Sequence, residues 1–194
     1  GEDGVPYELG TPRELDDARP PGTYWVSYNY EGDKVYGKWF YRADDERRTF
    51  DISYVVHDAV VLFDDYAQLY WKFVGENSDR PTGVVTGKIH LPSGADKDRV
   101  RAWLHTELTS EYWIEDDTVT FRVDNLRPYT FVELRILFPR ELVPGATSRA
   151  DGSIYDRAYA EEKAWVEEAN RRRIEAQEYM ARKGERARKV AGAA

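Results

Sequence analysis

The chain has no cysteine, which removes disulfides, thiolate nucleophiles and cysteine-based zinc sites in one step. Zero cysteine is compatible with export and with the cytosol alike. An excess of positive charge is missing as well. The formal net charge is −8, and neutralising phosphates needs a basic surface, so nucleic acid is not an expected partner. Long apolar runs are also absent. The longest uninterrupted one, residues 59–63, falls far short of the ~20 residues that carry a helix across a bilayer. The opening Gly1-Glu2-Asp3-Gly4 lacks the basic and apolar regions of a signal peptide, so such a segment is expected to lie outside this sequence.

What is present favours β structure. The 194 residues are 41% apolar, enough for one packed core. Aromatic residues reach 14%, with 14 Tyr and 6 Trp, types that suit strands with one buried and one wet face.

Residues 1–22 are rich in Pro, Gly and Asp without an apolar period and are expected to form an irregular lead-in. From Thr23 the pattern turns to alternation, with Tyr24, Val26, Tyr28 and Tyr30 on one side and Trp25, Ser27 and Asn29 on the other. A turn at 31–33 leads to a second strand over 34–41, and Asp44-Asp45-Glu46 to a third over 48–57, where Phe50, Ile52, Tyr54 and Val56 alternate. Further strands are predicted over 68–74, 84–91, 100–107, 112–114, 118–123 and 131–138. Val100, Trp103 and Leu104 would also suit a short helix. The core candidates are Phe50, Ile52, Tyr54, Val56, Leu69, Trp71, Phe73, Leu134, Ile136 and Phe138.

After Pro139 the chain passes through a linker, 140–152, into a stretch rich in Ala, Glu and Arg. Ser153 with Asp156 three residues on gives a capping-box-like start to a helix over 153–190. Tyr155, Ala158, Tyr159, Trp165, Val166 and Ala169 form a stripe for packing, which thins beyond Asn170. From Arg171 onward eight basic residues face three acidic ones, a surface suited to anionic lipid headgroups or to a solvated arm. The expected architecture is mainly β, an antiparallel immunoglobulin-like β-sandwich over 23–139 followed by this long C-terminal α-helix.

The motifs Arg48-Thr49-Phe50-Asp51-Ile52-Ser53-Tyr54, then Asp64-Asp65-Tyr66-Ala67-Gln68-Leu69-Tyr70-Trp71-Lys72-Phe73-Val74-Gly75, then Leu91-Pro92, Asn125-Leu126 and Phe138-Pro139 resemble the YciQ-like predicted bacterial membrane proteins. That is a domain-of-unknown-function family. The resemblance spans residues 23–139, with Leu69-Tyr70-Trp71 its most specific part. One departure is Ser78, where the family commonly has Trp. The resemblance implies an extracytoplasmic β domain attached to transmembrane helices outside this chain, and it brings no activity with it.

Several constellations have competing readings. Asp64-Asp65-Tyr66 could ligate calcium or hold a general acid and base, but Asp pairs before a strand more often bond backbone N–H groups in a turn. Glu115-Asp116-Asp117 is a second acidic turn, and a glycan-active enzyme would pair Asp64 or Asp65 with Glu115 or Asp116 across one cleft. His57, His90 and His105 lack metal-ligand spacing, and there is no G-x-S-x-G elbow. Trp25, Trp39, Trp71, Trp103 and Trp113 suit a sandwich core better than a sugar- or peptide-binding face. Tyr28, Tyr30, Tyr36 and Tyr41 are the expected exposed aromatics.

The functional expectation is a non-enzymatic binding, sensing or scaffold domain on the extracytoplasmic side of a bacterial membrane. Asp64, Asp65, Tyr66, Tyr28, Tyr30 and Tyr36 are its candidate ligand residues. The alternatives are a glycan-active enzyme using the paired acidic loop residues, or a carbohydrate-binding module. No cofactor and no metal are expected, and the partner would be an unknown ligand or an envelope protein.

Overall fold

The computed structural model describes residues 1–29 and 34–191, without the side chains of 29, 173, 176 and 184–191. The chain divides into two compact units, Gly1–Val56 and His57–Ala194.

In the first unit, β1 (Glu8–Leu9) runs parallel to β2 (Thr23–Asn29), which pairs antiparallel with β3 (Lys34–Phe40). Between β1 and β2 lies α1 (Pro12–Ala18), so the expected irregular lead-in is corrected. One apolar residue, Leu15, gave no period to read, yet local chemistry suffices for one helical turn after another. Pro12 opens the helix, and the Thr11 N–H and hydroxyl donate to the Glu14 carboxylate at 3.2 and 2.7 Å.

The third predicted strand, 48–57, is also corrected. Only Phe50 forms a bridge, with Glu2, while Ile52 and Tyr54 are 62% and 71% exposed and Val56 is exposed too. Alternation supplies a strand-like side-chain pattern, but a strand needs a neighbour to take its N–H and C=O groups, and no further ladder forms here among the described residues.

The second unit holds β4 (Val60–Leu62), β5 (Tyr66–Val74), β6 (Thr82–His90), β7 (Arg101–His105), β8 (Ser110–Glu115), β9 (Thr118–Leu126), β10 (Val132–Pro139) and α2 (Tyr155–Ala191). The four-stranded sheet runs β4-β5-β10-β7 and the three-stranded sheet β6-β9-β8, all neighbours antiparallel. Leu134, Ile136 and Phe138 from the first share one hydrophobic cluster with Val119, Phe121 and Val123 from the second. The molecule is thus mainly β, with three sheets and a long C-terminal helix.

Strand β10 is buried on both faces. Its apolar residues meet the core, and Arg135 and Leu137 face the first turns of α2, where Leu137, Phe63, Ile154 and Ala158 form a second cluster. Of the other core candidates Leu69 and Trp71 are half-buried, as is Phe50, and Phe73 is exposed at a rim. None of the five tryptophans is fully buried. Aliphatic residues and Phe fill the cluster. Trp25 and Trp39 belong to the first unit, Trp103 packs on the second cluster and Trp113 points away from the core, a correction to their expected core role.

Candidate functional site: the clamp under the helix

The face of the four-stranded sheet opposite the core carries Tyr70 on β5, Trp103 and His105 on β7, and Glu133 and Arg135 on β10. Register makes this a single patch, since Arg135 stands opposite both Tyr70 and Trp103, and Glu133 opposite His105. Helix α2 lies on it. Ile154, Ala158 and Glu162 recur at the four-residue spacing of one helix face, and all three are buried.

Glu162 is the centre of the patch. Its Oε2 is 2.5 Å from His105 Nε2, and its Oε1 is 2.9 Å from Arg135 Nη1. Arg135 also donates from Nη2 to Glu161 at 2.7 Å and lies 4.4 Å over the Tyr70 ring. The other His105 nitrogen, Nδ1, is 3.4 Å from Glu133 Oε1 and 3.5 Å from the Tyr70 hydroxyl. Trp165 covers the His105 ring at 4.9 Å, and Trp103 meets Tyr159 edge-on at 5.6 Å. Burial pushes the Tyr70 phenol up, and the Glu133 carboxylate adds to the push. Tyr112, beside the same patch, is raised mainly by burial. The contact of Arg135 Nη1 with Glu162 lacks hydrogen-bond alignment, and Arg135 Nε has no acceptor among the described residues. Arg135 is therefore held by one aligned bond, to Glu161, by the charge of Glu162 and by the Tyr70 ring.

The start of α2 is fixed by a second device. Ile154, a residue without a side-chain acceptor, precedes the first helical residue, and the cap comes from the loop before β5. The Asp65 carboxylate accepts from the Ile154 N–H at 2.8 Å, the Tyr155 N–H at 3.0 Å and the Ser153 hydroxyl at 2.5 Å. Burial pulls the Asp65 carboxyl upward, but these bonds together outweigh it and hold it below the ordinary carboxylate value. Asp64 accepts from the Gly152 N–H at 2.9 Å. The capping box expected from Ser153 and Asp156 is corrected, because Ser153 donates its hydroxyl to Asp65.

The candidate ligand residues are thus dispersed. Asp64 and Asp65 serve the helix start, and Tyr66 stacks on Tyr155 at 5.5 Å. In the first unit Tyr28 and Tyr36 are 65% and 50% exposed. Tyr28 pairs with Val35 and Tyr36 with Ser27, so the two tyrosines point to opposite faces of the hairpin. Tyr30 lies outside the described residues. Asp116 and Asp117 turn the chain between β8 and β9, Asp116 with φ 50°. Among the described residues no three His, Asp or Glu side chains form a group able to hold a metal ion. His57 and His90 are exposed, and His90 bonds Thr118 at 3.1 Å.

Sequence reasoning missed Glu133, Arg135 and Glu162. The signal was present: Glu162 falls inside the helical stripe between Ala158 and Val166, and Glu133 and Arg135 alternate with the core residues of β10. A charge within an apolar stripe marks a partner on the surface that the stripe covers.

No helix among the described residues is long and apolar enough to cross a membrane. Comparison with curated proteins and with solved structures returned no match. A family model described as the N-terminal domain of a predicted membrane protein (DUF2207) matches residues 4–138, which take in nearly all of the first unit and the strands of the second. The chain belongs to this family of predicted membrane proteins of unknown function.

Proposed function

We propose that the chain is a non-enzymatic binding, sensing or scaffold domain on the extracytoplasmic side of a bacterial membrane protein of the YciQ-like kind. Its two-sheet unit is a sandwich of immunoglobulin-like architecture with a connectivity of its own. The partner is a ligand or an envelope protein met at the β surface, and α2 relays or anchors.

The clamp under α2 supports this reading. Glu162, His105, Arg135 and Asp65 tie the first turns of the helix to the four-stranded sheet, so those turns move with it. The helix continues for 37 residues, roughly 55 Å at the usual rise. From Arg171 on, every described side chain is exposed. A rigid junction followed by a long unpacked arm suits transmission or attachment better than catalysis. The rival enzyme would need a free carboxylate at Asp64 or Asp65, and these two bond the residues that start α2.

The absence of cysteine makes a direct test available. Thr109→Cys, exposed between the bend at 107–108 and β8, is introduced into the whole membrane protein, with the unsubstituted protein as blank. A membrane-impermeant maleimide should label it in intact cells. Labelling only after lysis overturns the extracytoplasmic placement.

A further inference from the structure

We propose that the outward face of the three-stranded sheet is a binding groove for a neutral oligosaccharide, centred on Trp113. Alternate residues of β6, β9 and β8 point inward to the core, and those between them form rows across the outer face. Lys88, Thr120 and Trp113 make one row, and Thr86, Arg122 and Glu111 the next. Between the rows lies an open cavity of about 370 Å³ lined by Thr86, Lys88, Trp113, Thr120 and Arg122. Its floor includes Gly87 and Phe121. The floor is set from the inside, since the Phe121 ring occupies the place of a Gly87 side chain, and a Cβ there would come within 2.2 Å of it.

The chemistry of the lining selects the ligand class. Trp113 is 40% exposed, the one aromatic side chain lining the cavity from the outer face, and offers a flat apolar surface to a pyranose ring. Around it the Lys88 ammonium forms no ion pair, and the Thr86 and Thr120 hydroxyls form no side-chain hydrogen bond among the described residues. Arg122 is neutralised and held in place by Asp124, with bonds of 3.1 and 2.7 Å. Glu111 closes the second row, and Glu115 lies one row beyond Trp113. A sugar hydroxyl both donates and accepts, so it is satisfied by such a mixture of donors and acceptors. An anionic ligand would meet Glu111 and Glu115, and an apolar one would strip water from Lys88 without replacing its bonds. The groove deepens the binding reading above and rests on it for its biological setting.

The test is titration of the full chain with cellohexaose, N-acetylchitohexaose, maltohexaose and an oligogalacturonate, read by calorimetry and tryptophan fluorescence. At least one neutral hexasaccharide should bind with Kd at or below about 1 mM. Trp113→Ala should weaken it about tenfold and Lys88→Ala about threefold, while Trp113→Tyr, which keeps an aromatic face, stays near the original affinity. Because both side chains are exposed, the melting temperature should hold in all three variants. Absence of binding by every neutral probe, unchanged affinity in Trp113→Ala, or tighter binding of the oligogalacturonate than of any neutral sugar overturns the proposal. External labelling of Thr109→Cys without saccharide binding removes the groove and keeps the placement. The reverse pair of results removes the placement and keeps the groove.

Discussion

His105 on β7 and Glu162 on α2 are 57 residues apart in sequence, and His105 Nε2 meets Glu162 Oε2 at 2.5 Å, with both side chains about 5% exposed. The carboxylate that bonds the imidazole also faces the Arg135 guanidinium, so one helical residue joins two strands to the helix. The assembly has three carboxylates, Glu133, Glu161 and Glu162, around Arg135 and His105. Glu162 meets both Arg135 and His105, so its removal leaves Arg135 with only the half-exposed Glu161 and His105 with only the longer contact to Glu133.

Glu162→Ala should therefore destabilise the second unit by about 3–5 kcal/mol, the usual cost of breaking a buried pair from one side. Glu162→Gln, which keeps an acceptor, should cost less. Urea denaturation followed by tryptophan fluorescence measures both, and hydrogen exchange should show the first turns of α2 opening ahead of the sheets. A loss below about 1 kcal/mol for the alanine variant would mean that packing of Ile154 and Ala158 alone holds the helix.

The Asp65 cap makes α2 docking sensitive to acid. Its carboxyl is lowered in the folded state, so its contribution is present above the unfolded value of about 3.9 and fades as pH falls through the lower folded value. Asp65→Asn should flatten the stability profile below about pH 4 and cost on the order of 1 kcal/mol near neutrality, as lost caps do. Stability curves between acid and neutral pH for the two proteins check this, and parallel curves would show that other carboxylates set the acid slope.

Gly87→Ala should destabilise by about 1–3 kcal/mol through overpacking against the Phe121 ring. The ring cannot move without disturbing Phe73, which it meets at 5.2 Å. The measurement is the urea midpoint, and Gly83→Ala, at a glycine with open space around it, serves as the control.

A chain ending at Asn170 should keep the melting temperature of the full chain, because no described side chain beyond Glu162 is buried. It should lose binding to anionic vesicles. The excised stretch carries the eight basic and three acidic residues after Asn170, and each charge near such a surface contributes about 1 kcal/mol. Co-sedimentation at low and moderate salt is the readout, and equal binding by both chains would assign the contact to the β units.

Much of the strand inventory was legible in the residues. The alternations around Val26 and Leu134, the strand over 118–123 and the acidic turn at Asp116 all lie within a few positions of the structure they encode. Residues 48–57 show the limit of that reading, since Ile52 and Tyr54 carry a strand pattern and no partner strand takes it up. The helix α1 was missed for the opposite reason. Its signals, Thr11, Pro12 and Glu14, are caps without an apolar period.

Local chemistry in the sequence determined the mainly β character, the long terminal helix and the face of that helix which packs, because side-chain direction follows from neighbours a few residues away. The site depended on which distant segments meet. Asp65 reads as a turn residue, and only the docking of α2 beside β5 makes it the helix cap. Glu162 reads as one more solvated glutamate among many, and becomes a buried partner because β10 pairs with β7 in the register that sets Glu133 opposite His105 and Arg135 opposite Trp103. Burial changes what a carboxylate costs and what it can hold. It is a property of the assembled sheet and helix, so tertiary structure alone decided where the clamp would be.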